Sequence, residues 1–161
     1  MDREKIQREV TEREPMCEGV FQVGIMVSDI DECLKLFCDT LGMQVVFEAR
    51  NQVQPAKGLT ESDHQVMNVL MLRGEGGVDL EIHQYVEPKS RKVSPMEHGD
   101  LGAMHFMLRV KDIYATVEAV QKLGYQLMAP VTESSRIPGF AFTYFRGPDD
   151  VMIELHQGKI D

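Results

Sequence analysis

A short pattern near residue 80 returns near residue 153, and this repetition constrains the fold more than any other feature. Leu80–Gln84 reads LEIHQ, and Ile153–Gln157 reads IELHQ. The stretch that begins at Phe21 also matches the stretch that begins at Met104. The residue pairs that keep one constant offset are Val27 and Val110, Asp29 and Asp112, and Ile30 and Ile113. The chain is therefore predicted to be a duplicated unit.

Hydrophobic periodicity assigns the same order of elements to each copy. A helix begins at Ser28 or Asp29 and runs to Thr40, and a second helix spans 112–123, each followed by a glycine. The predicted strands are 20–27, 43–49, 65–73 and 78–85 in the first half, and 103–110, 125–129, 139–146 and 151–157 in the second. The segment 50–64 is predicted to be a loop, marked by Pro55 and Gly58, and 130–138 is predicted to be a second loop.

Each half thus has the order βαβββ, and the fold class is α+β. The predicted boundaries are an N-terminal arm at 1–18, a first module at 19–86, a linker at 87–101 and a second module at 102–158. A small sheet with one helix leaves an apolar edge and face exposed, which a twin copy can cover. The two modules are therefore expected to form a single domain over 19–158.

Composition excludes several classes of partner. The net charge of −9 over 161 residues argues against nucleic acid or an anionic membrane as a partner, because phosphate binding needs a basic surface. No apolar run approaches the roughly 20 residues of a membrane-spanning helix, and Met1–Lys5 lacks the apolar start of a secretory signal. The three cysteines have no CxxC spacing and are expected to be free thiols, which favours the cytoplasm.

Four polar residues lie at equivalent points of the two copies. They are Gln22, Glu81, His105 and Glu154, one on the first and one on the last strand of each half. Because side chains alternate along a strand, all four are predicted to face away from the helices, on a concave surface. Taken singly, a strand glutamate is an ordinary solvent-facing residue and a strand histidine an ordinary hydrogen-bonded one. The matched positions are what favour a shared role.

That role is metal binding. Two carboxylates that converge in a partly desolvated cavity repel each other, and one must take up a proton unless a cation is present. A divalent cation cancels both charges, while Gln22 and neutral His105 add further ligands. Three oxygens and one nitrogen suit zinc, nickel, cobalt, manganese or ferrous iron in a site open to water. An open site implies catalysis or ligand capture of a small molecule.

The same residues resemble the vicinal oxygen chelate superfamily. It includes glyoxalase I, methylmalonyl-CoA epimerase, extradiol dioxygenases, fosfomycin-resistance proteins and bleomycin-binding proteins. The resemblance covers 19–158, and its markers are the pattern Val-x-Asp-Ile at Val27–Ile30 and Val110–Ile113, Leu41–Met43, and the ending Phe145–Leu155. It implies paired βαβββ modules that form an open, barrel-like mixed sheet around a metal, with the helices outside.

Within the superfamily, the ligand order Gln, Glu, His, Glu resembles zinc-dependent glyoxalase I. The resemblance implies a metal-dependent lyase or isomerase, in which the metal stabilises an enediolate while a proton moves between adjacent carbons. Glu154, with Glu81 as the second candidate, would be the base that takes the carbon-bound proton. It also implies a small-molecule substrate, and unpaired sheet edges favour a homodimer.

The chain departs from glutathione-binding relatives in the substrate pocket. Met26 and Tyr85 stand where those relatives carry an arginine and an asparagine, so partners of the glutathione carboxylates are missing. Arg109, four residues beyond His105, is predicted to face the cavity and to bind a substrate anion. Met26, Tyr85 and Met107 would supply an apolar lining.

Two alternatives stay open. An isomerase similar to methylmalonyl-CoA epimerase would use Glu48 as a second base, although that family's ligand order usually begins with His and then Gln. A metal-free protein that binds a drug or metabolite is the other, and the apolar lining would suit it. An iron dioxygenase would require His83 or His156 to join the ligand set.

Overall fold

The computed structural model describes residues 17–55 and 57–158, so nearly all of the predicted arm at 1–18 lies outside the described residues. The first half contains β1 (Gln22–Met26), α1 (Ile30–Cys33) continuing as a π-helix (Leu34–Thr40), β2 (Gln44–Val53), β3 (Val66–Arg73) and β4 (Asp79–Glu87). The second half contains β5 (His105–Val110), α2 (Ile113–Lys122), β6 (Thr132–Glu133), β7 (Ala141–Arg146), a 3-10 turn (Pro148–Asp150) and β8 (Met152–Gln157).

The strands form two four-stranded sheets with the same internal order. The first sheet runs β1-β4-β3-β2 and the second runs β5-β8-β7-β6. In each sheet the first strand of the half pairs parallel with its last strand, and the other neighbours are antiparallel. The α+β class with paired βαβββ modules is therefore confirmed. The described strands form two open sheets, neither of which closes into a barrel.

Both helices begin and end as the sequence predicts. The Asp29 carboxylate accepts a hydrogen bond from the Asp31 backbone N–H (2.8 Å), and Asp112 accepts from those of Tyr114 and Ala115 (3.0 Å each). Such caps satisfy amide groups that a helix leaves unpaired at its first turn. At the other end, Gly124 adopts a φ of 97°, a left-handed conformation that glycine reaches without strain.

One hydrophobic core joins the two halves through their helix-covered faces. Phe37 is fully buried and lies with its ring centre 6.3 Å from that of Phe106 in β5. Polar contacts cross the same junction. The Tyr125 hydroxyl donates to Glu32 (2.7 Å), and Asp149 accepts from the backbone N–H (2.6 Å) and hydroxyl (2.9 Å) of Ser28. The face of each sheet opposite its helix, called here the open face, is left uncovered by this packing.

The predicted strand 125–129 does not form. Only an isolated bridge from Leu127 to Phe145 is present, and the short β6 falls inside the predicted loop 130–138. The Thr143 hydroxyl donates to the Ala129 carbonyl (2.6 Å), and Pro130 has no N–H to continue a ladder. The Met128 backbone N–H donates to the Tyr144 carbonyl (2.8 Å), so pairing with β7 begins here but is not extended into a strand.

Strand β2 runs further than predicted, into the segment expected to be loop 50–64. Bulges between Val45 and Phe47 and between Ala49 and Gln52 let it stay paired with β3. At the second bulge, Asn51 has a φ of 54° and its backbone N–H donates to the Asn68 side chain (2.8 Å). The bulges disturb the alternation from which strands are read, so the sequence underestimates the length of β2.

The helix cap at Asp112 allows a direct test of local stability. Replacement of Asp112 by Ala removes the acceptor for two N–H groups and should lower the free energy of unfolding by about 1 kcal/mol. Asp112→Asn keeps an acceptor at the same point and should lose only a fraction of that. Urea denaturation followed by circular dichroism measures both, and equal losses for Ala and Asn would contradict the cap.

Candidate metal centre

Gln22 and Glu81 form a polar pair on the open face of the first sheet. They stand on the neighbouring strands β1 and β4, and the Gln22 side-chain amide donates to the Glu81 carboxylate over 2.9 Å. His83 lies on the same face two residues beyond Glu81, with Nε2 3.3 Å from its carboxylate. The Glu81 side chain is 22% exposed, so it is partly withdrawn from water yet reachable.

His105 and Glu154 form the matching pair on the second sheet. The imidazole Nε2 of His105 lies 3.3 Å from the Glu154 carboxylate, which is 16% exposed. Tyr144 is the strand partner of Glu154 on β7. Burial raises the pKa of the Tyr144 phenol, and the charge of Glu154 and a hydrogen bond to it add to that rise. The Tyr144 ring also meets the His105 ring edge-on, with centres 5.2 Å apart.

Strand register explains why the two pairs match. Gln22 lies opposite Asp79, two residues before Glu81, and His105 lies opposite Met152, two residues before Glu154. Residues two apart on a strand share a face, so each first-strand residue reaches the acid of its neighbour diagonally. Duplication has reproduced this geometry in both sheets.

The four predicted ligands are brought together as two pairs, not as one group. Among residues 17–55 and 57–158 of a single chain, no three His, Cys, Asp or Glu side chains lie close enough to hold one ion. Glu81, His105 and Glu154 therefore do not converge within one chain. Their joint role as metal ligands stays a prediction.

The chemistry of the pairs nevertheless fits a divalent cation. Glu81 and Glu154 are both partly buried, and over the described ranges neither forms an ion pair with a lysine or arginine. Their contacts are with neutral or weakly basic groups. A carboxylate next to an amide or imidazole on an open face is a suitable half-set of ligands for zinc or a related metal.

The predicted substrate-binding residues surround the pairs on the open faces. Met26 is 51% and Met107 43% exposed, and Tyr85 is half-buried. Arg109 is exposed on β5, opposite His156 on β8, and has no ion pair with any described residue. These positions agree with the expected faces, but whether the residues bind a substrate stays a prediction.

Comparison with known proteins identifies the family. The family model described as glyoxalase/bleomycin resistance protein/dioxygenase superfamily matches residues 21–157. The chain belongs to this superfamily. A comparison with curated protein sequences gave no match.

Solved structures of the superfamily fold are similar over nearly the whole chain. A glyoxalase family protein from Bacillus cereus is 20% identical, with a TM-score of 0.76 over 92% of this chain and 99% of that one. The fosfomycin resistance protein FosX from Mesorhizobium loti is 19% identical, with a TM-score of 0.57 over 90% and 95%. TnmS3, an antibiotic binding protein from a Streptomyces species, is 18% identical, with a TM-score of 0.54 over 91% and 100%. At these identities the likeness concerns the fold.

Within this superfamily fold, sequence reasoning missed two residues beside the second pair. Tyr144 could have been found, because its place in the alternation of β7 puts it opposite Glu154. His98 could not, since it lies in the linker, where no periodicity applies. Its ring stacks on that of His105, with centres 5.3 Å apart and planes 25° from parallel.

His156 differs from its counterpart His83. It is fully buried, and both ring nitrogens have no hydrogen-bond partner among the described residues. The Phe140 ring lies 4.6 Å away and covers it. His156 therefore does not line the open face in the way that His83 does.

None of the described helices combines the length and the apolar character of a transmembrane span.

Proposed function

We propose that the chain is a metal-dependent lyase or isomerase of the glyoxalase type, which moves a proton between adjacent carbons of a small substrate. The observation that carries this proposal is the pair of carboxylates, Glu81 and Glu154, each held beside a nitrogen group at equivalent points of two superfamily modules. Partial burial of a carboxylate is costly unless a cation is nearby, and among the described residues neither acid pairs with a lysine or arginine.

The proposed ligands are Gln22, Glu81, His105 and Glu154, and the cation is zinc, nickel, cobalt or manganese. When bound, such an ion supplies a Lewis acid that stabilises negative charge on substrate oxygens. The protein supplies the base. Glu154, with Glu81 as the alternative, accepts the proton from carbon and returns it to the neighbouring carbon.

A second copy of the chain would complete the site. Each open face carries one ligand pair and exposed apolar side chains, among them Met26 (51%), Phe47 (51%) and Met107 (43%). Phe47 pairs with Met71, which pairs with Glu81, so it lies on the same face as the first ligand pair. If the first sheet of one chain faces the second sheet of its partner, two equal sites form and the apolar surface is buried. A homodimer is therefore part of this proposal.

Arg109 indicates an anionic substrate. It lies on the strand of His105, carries no ion pair with described residues, and belongs to a chain with a net charge of −9. A guanidinium that stays unpaired among so many acids is available to a carboxylate or phosphate. Met26 and Tyr85, in turn, favour a substrate other than a glutathione adduct.

Epimerase-type chemistry through Glu48 has less support. Glu48 forms an ion pair with Arg50 (2.7 Å), and its strand partner is the core residue Leu70. Its side chain is therefore on the helix side of the first sheet, away from Gln22 and Glu81. Metal-free capture of a small molecule has one observation in its favour, the apolar open faces, and the fold of an antibiotic binding protein is similar. The two acid pairs favour the metal-dependent reaction over such capture.

Metal binding is tested by removing one ligand at a time. After chelation and reloading, the wild type should retain one ion per chain, whereas Glu154→Gln and His105→Ala should bind at least about 100-fold more weakly. Elemental analysis and a chromophoric chelator measure this, and turnover of a panel of hemithioacetals and acyl-CoA thioesters should fall in parallel. Glu118→Gln, an exposed helix position, is the matched control. Undiminished metal content and turnover in both variants would contradict the proposal.

The shared site is tested by mixing two inactive variants. Glu81→Gln and Glu154→Gln homodimers each lack one acid in both sites. A mixed dimer has one site with both changes and one unaltered site, so metal binding and turnover should return in the mixture, toward about half of the wild-type level per mixed dimer.

We expect metal binding and turnover to recover after the subunits exchange, relative to each variant measured alone. If each site were built within one chain, every site in the mixture would keep one defect. No recovery in a mixture shown by mass spectrometry to contain mixed dimers would rule out the shared site, without deciding whether the chain binds metal.

A further inference from the structure

Residues 96–98 of the linker form a strap across one end of the second sheet. The Arg146 guanidinium donates to the Met96 carbonyl (2.8 Å) and lies 3.6 Å from the Glu97 carboxylate. The same guanidinium donates to the Asp150 carbonyl (3.2 Å), which ties it to the turn before β8. The Arg146 side chain is 20% exposed, although the surrounding linker is exposed. One arginine therefore anchors the strap to the sheet.

The strap places His98 directly on a proposed metal ligand. The His98 and His105 rings are stacked with centres 5.3 Å apart, and the Tyr144 ring meets both edge-on, at 5.0 Å from His98 and 5.2 Å from His105. The His105 ring thus lies against the face of the His98 ring and is in edge contact with the Tyr144 ring. Its Nε2 is 3.3 Å from the Glu154 carboxylate in this orientation, and rotation of the ring would move that nitrogen away.

We propose that His98 is a positioning residue, which fixes the imidazole of His105 in its metal-binding orientation, and that Arg146 acts through it by holding the strap. The inference rests on the proposed metal site. Stacking brings the face of the His98 ring, and not its nitrogens, against the His105 imidazole. His98 is therefore assigned to orientation, and not to ligation.

Three substitutions of His98 separate stacking from the use of a nitrogen. His98→Phe keeps a flat ring without a nitrogen, His98→Gln keeps a hydrogen-bonding group without a ring, and His98→Ala removes both. Because an aromatic pair contributes modestly beyond its buried area, Ala and Gln should weaken Zn²⁺ or Co²⁺ binding by about 2- to 10-fold, while Phe stays near the wild type. Competition with a chromophoric chelator measures the affinity. His64→Ala, an exposed loop position, is the control.

The contrary results are equally specific. If His98→Phe binds metal as weakly as His98→Ala, a nitrogen of His98 is needed and the positioning role is wrong. The same conclusion follows if His98→Gln binds metal as tightly as the wild type. The Co²⁺ absorption spectrum gives a second reading. It should keep its shape in all three variants, because the ligand set is unchanged, and a changed coordination spectrum in His98→Phe would overturn the assignment.

Arg146 is tested through its dependence on His98. Arg146→Met should weaken metal binding about as much as His98→Ala, and the double variant should be no weaker than the weaker single one, since both changes remove one contact. Additive losses would show that Arg146 does not act through the strap. Arg146→Lys keeps the charge but loses the planar guanidinium, so its metal affinity should lie between those of the wild type and Arg146→Met.

A measurement without metal keeps this inference separate from the proposed function. In the metal-free protein, the ring protons of His105 should show the ring-current shift of a stacked neighbour, which is retained in His98→Phe and lost in His98→Ala. NMR of the histidine side chains measures it. If the His105 ring-proton shifts are unchanged in His98→Ala, the positioning role of His98 is wrong, even if the wild type binds metal. Failure of the wild type to bind metal, with the shift present, overturns the metal proposal instead.

Discussion

The contact between the helix-covered faces of the two halves determines what the rest of the molecule can do. Phe37, Ile113, Phe145 and Ile153 are fully buried in a core to which both modules contribute. Neither half-sheet could bury its apolar face alone, because one short helix covers too little of it. Since the modules join through these faces, the opposite faces are left uncovered, and they are where the polar pairs lie. The core therefore sets the position of the candidate site.

This arrangement also resolves an electrostatic difficulty. Two partly buried carboxylates in one cavity would repel each other, and the chain already has a net charge of −9. Within a single chain, Glu81 and Glu154 lie on separate sheets, so the fold does not carry that repulsion. In the proposed dimer the two acids meet, and a divalent cation offsets the repulsion between them. Metal binding and subunit association would then stabilise each other.

Much of the fold could be predicted because duplication repeats each local signal. The caps at Asp29 and Asp112 and the alternation around Glu81 and Glu154 depend on a few neighbouring residues, which can be read from sequence. Alternation gives the face of a residue, but not which faces meet. Alternation therefore does not predict that the ligands separate into two pairs. The predicted strand 125–129 is reduced to a bridge at Leu127 and one backbone hydrogen bond at Met128, and Pro130 has no N–H to extend the pairing.

The two acids, although equivalent in register, have different surroundings. At Glu81 the strand partner is Met71, and the carboxylate accepts from the Gln22 amide near His83. At Glu154 the strand partner is Tyr144, and the His105 imidazole lies 3.3 Å from the carboxylate. Catalysis by a pair of carboxylates requires environments that separate their roles. The aromatic rings beside Glu154 favour it as the proposed base, because exclusion of water strengthens proton transfer to a positioned carboxylate. Divergence between two copies of one module thus gives each acid its own part in the proposed reaction.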